Sequence, residues 1–396
     1  MFLKIVIALY CIGLATKIFS IIDIGAYSIT IEIIAIALML VSLIFSGRKI
    51  AFKNAISVFI VLIIFQGLIV SLFYQLIDSS TFTAVFQMFL SLVIFLFFAS
   101  FDSKNIDFFR SFITNFGVVI AIFAIYQVFA RPFGLPFDYL EITNQQIGSI
   151  EGFQRTVEYG GGGNFEFLRV SSTFAEPGDF AKFMLICISI NFLRGTGFRI
   201  FLTQIFSTVG VIISQSIGGY FIVSALYALF LGLKRIVFFI FLLLLFFGLA
   251  SLLAEGLLVF ISRFDSIFTG SVFSASYRFM YISEALNRLE SYAIFGAGIG
   301  NADLIFNQLI ICSFWLNFAG EYGLFGIAYF LVILGLMAVK ANNSGENWLQ
   351  VWLFVEFVAL FWKPGLLYSS TLFAVCGLIY ATHKIKRNNK KIKNFL

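Results

Sequence analysis

The chain has 396 residues, of which 61% are hydrophobic and only 12% are charged. A soluble domain of this size carries about a quarter charged residues, so the composition excludes an ordinary soluble protein. The apolar runs repeat without the alternation of barrel strands, which predicts an integral membrane protein built from helices. The four cysteines stand singly in apolar surroundings, so neither a zinc site nor a disulfide framework is expected.

The apolar runs predict an all-α polytopic membrane protein, a single transmembrane domain over residues 1–396 with about twelve spans. The N-terminal run is interpreted as an uncleaved first span because it lacks a small-x-small cleavage site. The predicted spans are 5–22, 30–46, 55–74, 82–100, 111–130, 178–193, 200–215, 217–233, 236–252, 321–339, 346–361 and 366–381.

The lysines and arginines predict the orientation of these spans. They collect on one side of the membrane if both termini are cytoplasmic. Two long loops, 131–177 and 253–320, then face outward. The basic tail over 382–396 is expected to lie near anionic lipid headgroups rather than to bind nucleic acid.

The two outward loops contain arginines and no lysine, whereas the cytoplasmic segments mix both residues. A guanidinium group binds phosphate oxygens in a bidentate manner and stays charged at any physiological pH. The pattern favours a phosphorylated or carboxylated ligand at the outer surface. Ion pairs with nearby acids, such as Glu158, Glu166, Asp265 and Glu284, remain an equal alternative. The arginines are Arg131, Arg155, Arg169, Arg263, Arg278 and Arg288.

The segment FLRVSSTFAEPGDFAKFM, residues 167–184, concentrates polar residues just before an apolar run. Pro177 suits the first position of a helix, which makes Glu176 a candidate cap. The N-terminus of such a helix favours anions, and Arg169 stands close by in sequence. The segment therefore predicts the floor of an outward-facing cavity, with a capped helix and an Arg169–Glu176 pair as the structural alternative. Its other candidate substrate-binding residues are Ser171, Ser172 and Asp179.

The second outward loop ends in two recognisable segments. Residues 278–290 have the spacing of an amphipathic helix. GAGIG, at 296–300, lacks the GxGxxG spacing and a preceding strand, so a nucleotide site is rejected. A flexible turn beside the cavity is expected instead.

Several of these segments together resemble the bacterial O-antigen polymerase and ligase superfamily. The resemblance rests on RxSSTFxEPxxF from Arg169 to Phe180, on SxSxR from Ser274 to Arg278, on the GxGxG turn and on GEYGLFG from Gly320 to Gly326. The arrangement of about a dozen spans with two large outer loops is also similar.

The resemblance implies a polysaccharide polymerase of the Wzy type, an inverting glycosyltransferase of the GT-C class in the bacterial inner membrane. Such enzymes transfer a glycan from undecaprenyl pyrophosphate onto the non-reducing end of another lipid-linked repeat unit. They need no cofactor and no metal, and a chain-length regulator is the usual partner. By motif position, Arg169 and Arg278 are the expected pyrophosphate contacts, with Arg155, Arg263 and Arg288 as nearby candidates.

The catalytic base is less well defined by the sequence. Glu176 is the first candidate, followed by Glu321 and Asp179, although a helix N-terminus and a nearby arginine would lower the pKa of Glu176. Two alternatives to a polymerase are a ligase on the same scaffold and a flippase for lipid-linked units. Ligases of this superfamily use a histidine in the second loop region, but the single histidine of this chain is His383, in the cytoplasmic tail.

Overall fold

The computed structural model describes most of the predicted helical segments and parts of both long loops. The described residues are 1–24, 27–45, 55–130, 133–138, 140, 143, 170–174, 177–191, 197–214, 216–226, 284, 287–289, 292, 294–302, 314–360 and 370–395. Within these ranges the protein is mostly helical. The predicted all-α class is therefore confirmed at this coarse level.

Helices and one short hairpin follow in chain order. The helices are α1 Phe2–Ala15, α2 Ile31–Phe45, α3 Ala55–Phe73, α4 Ser79–Ala99, α5 Ser103–Ala130, α6 Pro177–Asn191, α7 Phe198–Ile213, α8 Ile217–Leu226, α9 Phe314–Ser344, α10 Asn347–Ala359 and α11 Ser370–Phe395. Strands β1 Ile22–Ile24 and β2 Tyr27–Ile29 lie between α1 and α2. The predicted span 236–252 lies outside the described residues.

Four helices of the described part are long and apolar enough to cross a membrane. They are α3, α4, α5 and the Trp315–Ser344 portion of α9. Three further apolar helices, α1, α2 and α7, are shorter. The predicted number of about twelve spans therefore stays a prediction, together with the two large outer loops.

Helix α3 presents large apolar side chains to its surroundings. Val61, Phe65, Ile69 and Leu72 recur on one face at spacings of three and four, and Phe65 remains 63% exposed. Soluble proteins rarely leave such a continuous apolar surface in water. The exposed face fits contact with acyl chains, as expected for a helix that crosses a membrane.

The chain divides into two compact units. The first comprises Met1–Leu38 and Lys104–Asp265, and the second comprises Met39–Ser103 and Ser266–Leu396. One of the chain boundaries between the units falls within α2, and another falls after the first residue of α5. The predicted single transmembrane domain thus contains two units that are each formed from separate parts of the chain.

Helix α6 forms much of the core of the first unit. All its residues are buried except Gly178, Asp179 and Lys182. It packs against α7 and α8, and the Cys187 Sγ lies 3.7 Å from the backbone oxygen of Ile113 in α5. Because α6 is surrounded by apolar side chains on several sides, its sequence is an almost uninterrupted hydrophobic run.

The N-terminal region differs from the predicted first span, 5–22, because α1 ends at Ala15. Ile22 pairs with Ile29 in the hairpin that follows, which lets the apolar residues after α1 satisfy their backbone groups as strands. Helices α1 and α2 approach closely at Gly13, where a Cβ atom would lie 2.6 Å from the backbone of Glu32. The Glu32 carboxylate pairs with Lys17 Nζ at 2.9 Å.

The core of the second unit is formed by α4 and α11, together with α9 and α10. Helix α4 and α11 pack along much of their length, and Phe95, Phe97 and Phe98 of α4 are fully buried. In α10, the buried Glu356 accepts a hydrogen bond from Trp352 Nε1 at 3.1 Å. Burial of a carboxylate is tolerable when its oxygens have hydrogen-bond donors of this kind.

Candidate functional site

The first candidate segment is a short turn, Val170–Phe174, that docks onto the helices of the first unit. The Phe174 amide donates to the Ser171 carbonyl at 3.0 Å, which closes the turn, and Ser172 adopts a positive φ of 54° within it. The Val170 amide donates to the Ile213 carbonyl of α7 at 3.4 Å. A loop next to apolar helices needs such partners, because water is not available to its buried backbone groups.

Two side chains hold the centre of this turn. The Ser172 hydroxyl donates to the Ile120 carbonyl of α5 at 3.1 Å, and Gln127 Nε2 donates to the Ser172 carbonyl at 3.4 Å. Ser172 is only 1% exposed. Its contact with substrate stays a prediction, and its hydroxyl proton is donated within the fold to the Ile120 carbonyl. Ser171, its neighbour, is only partly buried.

The turn leads directly into α6, which begins at Pro177 as the sequence predicts. The Phe174 ring packs against Phe180 and Phe183 of α6, with centroids 5.9 and 5.3 Å apart. These contacts fix the turn relative to the helix N-terminus. Asp179 lies in the first turn of α6, where a carboxylate is favoured by the helix dipole.

Two of the predicted site residues are adjacent in sequence to the turn or to α6. Arg169 immediately precedes the described turn, and Glu176 immediately precedes α6, but both lie outside the described residues. So do four of the other arginines predicted for the outer loops: Arg131, Arg155, Arg263 and Arg278. The structure therefore describes the residues that follow Arg169 and those that follow Glu176, and not the contacts of these two side chains.

In the second unit, Arg288 forms an ion pair with an acid from its own helical segment. Its Nε lies 2.8 Å from Glu284 Oε1, one helical turn away. Both side chains are partly exposed. For this one arginine, the structure shows the ion-pair alternative that the sequence left open, and a contact with substrate stays a prediction.

The GAGIG turn is buried and hydrogen-bonded, in contrast to the flexible turn that the sequence predicted. Helix α9 is broken at Gly323, which has φ 65° and ψ −169°. Because of this break, the carbonyls of the preceding residues have no amide donor within the helix. The Ala297 amide donates to the Gly320 carbonyl at 2.7 Å, and the Gly298 amide donates to the Glu321 carbonyl at 3.0 Å.

The bonding between turn and helix also runs in the other direction. The Phe325 amide, which starts the second part of α9, donates to the Ile294 carbonyl at 3.2 Å. A Cβ atom on Gly323 would lie 2.2 Å from that same carbonyl oxygen. The turn and the broken helix therefore supply each other with the backbone hydrogen bonds that neither can form within itself. Their backbones approach so closely that only glycine fits at this position.

Asn301 joins this turn to α3. Its Nδ2 lies 3.0 Å from Ser71 Oγ, 3.1 Å from the Leu76 carbonyl and 3.4 Å from the Ala297 carbonyl. The side chain is only 1% exposed. The sequence interpretation missed Asn301, although a polar residue directly after a glycine turn in an apolar chain was an available signal.

The same turn contacts the N-terminus of α4. Asp78 caps this helix, and Ser80 Oγ lies 2.6 Å from Asp78 Oδ1 and 2.8 Å from the Gly300 carbonyl. Hydrogen bonds from the Ser80 side chain and the Thr81 amide lower the pKa of Asp78. An ionised cap beside the turn stabilises the start of α4.

Glu321, the second candidate base, belongs to the first part of α9. It stands two residues before the break at Gly323, and its backbone carbonyl is held by the turn. A buried apolar cluster links the segment of Arg288 to the turn and to α9; its members are Leu289, Ala297, Ala302, Leu316 and Ala319. The local backbone of Glu321 is thus fixed from two sides. Among the described residues, no group of histidine, cysteine and acidic side chains could hold a metal ion.

Comparison of the chain with protein-family models and with curated proteins gave no match.

Proposed function

We propose that the chain is a polysaccharide polymerase of the bacterial inner membrane, of the inverting GT-C class. It would transfer a glycan from undecaprenyl pyrophosphate onto the non-reducing end of another lipid-linked repeat unit. In this proposal the chain has about twelve spans, both termini are cytoplasmic and the loops at 131–177 and 253–320 face outward. The bilayer and a chain-length regulator are the further partners.

The observation that carries the proposal is the arrangement around the RxSSTFxEP segment. In the structure, the turn Val170–Phe174 is held against α5 and α7, and a buried helix begins at Pro177. Arg169 and Glu176 flank that fixed turn in sequence. An arginine and a helix N-terminus are suitable groups for binding a phosphate, and an acid in the same segment can orient the arginine or accept a proton.

Two further features support it. The four helices that could cross a membrane fit an enzyme that acts on a lipid-linked substrate. The outer loops contain arginine without lysine, which fits bidentate recognition of a diphosphate better than simple attraction of negative charge.

In the proposed reaction, the substrates react directly with each other and form no covalent bond to the protein. The acceptor hydroxyl attacks the anomeric carbon of the donor glycan, a new glycosidic C–O bond forms, and the bond between that carbon and the phosphate oxygen breaks. The electron pair leaves with undecaprenyl pyrophosphate. Arg169 and Arg278 would bind this leaving group and stabilise the charge that develops on it.

The proton of the acceptor hydroxyl needs a destination. Glu176 is the first candidate base, and a positioned base contributes roughly 10²- to 10⁴-fold to the rate. Glu321 and Asp179 are the alternatives, and the fixed backbone of Glu321 supports keeping it among the candidates. A helix N-terminus and a nearby arginine both make a carboxylate a poorer base in general, so the alternative role proposed for Glu176 is to orient Arg169.

The test is the size distribution of surface glycan in cells with and without the gene. Loss of a polymerase leaves single repeat units and removes the ladder of longer chains. A ligase would instead leave long polymer on undecaprenyl pyrophosphate, and a flippase would leave lipid-linked units inside the cell. Either of those outcomes, or an unchanged ladder, would contradict the proposal.

A matched pair of variants tests the role of the guanidinium group. Arg169→Lys keeps the charge but loses the bidentate fork, so we expect the ladder to shorten or disappear. Arg199→Lys makes the same change at an exposed position in the first turn of α7 and should leave the ladder intact. Equal ladders from the two variants would show that Arg169 does not bind the diphosphate.

A further inference from the structure

A group of cationic side chains meets at the end of α9, where α11 leaves the apolar core. Helix α11 continues unbroken from Ser370 to Phe395, and its residues up to Leu378 and Ile379 are buried. Tyr380, His383 and Arg387 follow at spacings of three and four and therefore share one face. We name the group formed by Lys340, His383, Lys386 and Arg387 the cationic cluster.

Two contacts fix the cationic cluster. Lys340 of α9 places its Nζ 5.4 Å from the centroid of the Tyr380 ring. Lys386 places its Nζ 3.2 Å from the carbonyl oxygens of Asn343 and Ser344, the last residues of α9. A cation at the C-terminus of a helix is favoured by the helix dipole, so Lys386 is already partly satisfied.

The other cations of the cluster make the surroundings of His383 electropositive. Burial lowers the pKa of His383, and the neighbouring Lys340, Arg387 and Lys386 lower it further. The charged groups that act on this histidine are thus all cations. Like charges held together favour a bound anion, which would offset their mutual repulsion.

An exposed apolar stripe on α9 leads directly to the cluster. Val332, Leu336 and Val339 share one face and are 57%, 43% and 59% exposed, and Lys340 follows Val339 in sequence. The stripe and the cluster together form an apolar surface with a cationic end. Lysines at such positions bring their charge to the membrane interface while their methylene groups stay on apolar surface.

We propose that the stripe and the cationic cluster form a binding site for one anionic phospholipid. Its acyl chain lies along Val332, Leu336 and Val339, and its phosphate is bound by Lys340 and Arg387 next to His383. A soluble phosphate would bind the same cations as the lipid headgroup, but it has no acyl chain that could contact the apolar stripe. The site uses no residue of the predicted outer loops, so it does not depend on the proposed polymerase activity.

Native mass spectrometry of the full chain in an uncharged detergent tests this site. We expect the wild-type protein to retain phosphatidylglycerol in preference to phosphatidylcholine. Each cation removed from an interfacial site should weaken the affinity for phosphatidylglycerol about fivefold, so Lys340→Gln with Arg387→Gln should weaken it roughly thirtyfold. Arg387→Gln alone changes an exposed residue and provides the same test if the double variant does not fold.

The control variant is Lys4→Gln. Lys4 also lies over an aromatic ring, that of Phe108 at 5.3 Å, but it belongs to α1 in the first unit. We expect it to retain phosphatidylglycerol like the wild type. Equal retention by Arg387→Gln and wild type would overturn the site, as would an equal loss in Lys4→Gln.

A second readout follows the histidine itself. His383 is the only histidine in the chain, so its titration can be observed directly by NMR. A bound phosphate should raise its pKa, and in Arg387→Gln the same shift should need about fivefold more phosphatidylglycerol than in the wild type. An equal shift with inorganic phosphate would identify a soluble ligand and overturn the lipid; no shift with phosphatidylglycerol would overturn the contact with His383.

Discussion

Replacing Gly298 with alanine should destabilise the second unit strongly. Gly298 has φ +98°, and a Cβ atom there would lie 2.2 Å from Ser71 Oγ and 2.6 Å from the Ser71 backbone nitrogen. The serine hydroxyl could rotate, but it would then lose its bond with Asn301, and the backbone of α3 cannot move independently of its helix.

The size of the effect can be worked from these contacts. The positive φ costs an alanine about 1–2 kcal/mol. If the turn shifts to relieve the clash, the bonds from the Ala297 and Gly298 amides to the broken part of α9 are lost, at about 1 kcal/mol each. We therefore expect a loss of roughly 3–4 kcal/mol, which lowers the Tm of a unit of about 200 residues by roughly 6–16 °C.

Intrinsic tryptophan fluorescence during heating in detergent measures this Tm, because Trp315, Trp348 and Trp352 all lie in the second unit. The matched control is Gly335→Ala in α9. A Cβ atom on Gly335 would meet no heavy atom within 4 Å, so this variant should be neutral or more stable by about 0.5–1 kcal/mol. If Gly298→Ala melted within a degree or two of the wild type, the turn would not be held as tightly as the contacts indicate.

Two further substitutions test other contacts. Gly13→Leu places a side chain where α1 and α2 meet at Glu32, so we expect a lower Tm by circular dichroism; an unchanged Tm would contradict the close packing. Asp78→Ala removes the cap of α4 and should cost about 1 kcal/mol. Because the bond from Ser80 lowers the pKa of Asp78, the wild-type advantage should be complete above the unfolded pKa and should vanish as pH falls through the folded pKa. An advantage independent of pH would exclude the ionised cap.

The helix positions could largely be predicted from hydropathy, but their lengths could not. Helix α5 begins at Ser103, eight residues before the predicted span, because its polar first turns still bury Ile106 and Phe109. Helix α11 likewise continues through the basic tail to Phe395. Apolar runs report where a helix is buried, whereas its ends depend on backbone hydrogen bonds and local contacts.

The two candidate segments show a sharper limit of sequence interpretation. The start of α6 at Pro177 follows from the fixed φ of proline and could be predicted. The burial of the GAGIG turn could not, because glycines fit a flexible loop and a tight backbone contact equally well. The distinction depends on the break at Gly323, which lies more than twenty residues further along the chain.

Both segments solve the same physical problem in different ways. A loop that enters an apolar environment must satisfy its amides and carbonyls without water. The turn at Val170–Phe174 uses the side chains of Ser172 and Gln127 for this purpose, whereas the GAGIG turn uses the backbone of a broken helix and the side chain of Asn301. In such segments, some polar side chains form hydrogen bonds with buried backbone groups. A polar side chain without this structural role is the better candidate for binding a ligand.

This distinction reduces the number of residues in the RxSSTFxEP segment that are candidates for contact with substrate. Ser172 donates its hydroxyl proton to the Ile120 carbonyl, so its contribution to a substrate is at most that of an acceptor. Arg169 and Glu176 lie outside the turn in sequence, and the described hydrogen bond that closes the turn joins the backbone of Phe174 and Ser171. If the segment binds a diphosphate, the guanidinium of Arg169 is the group suited to do so, and Arg169 directly precedes in sequence a turn that packs against the start of α6.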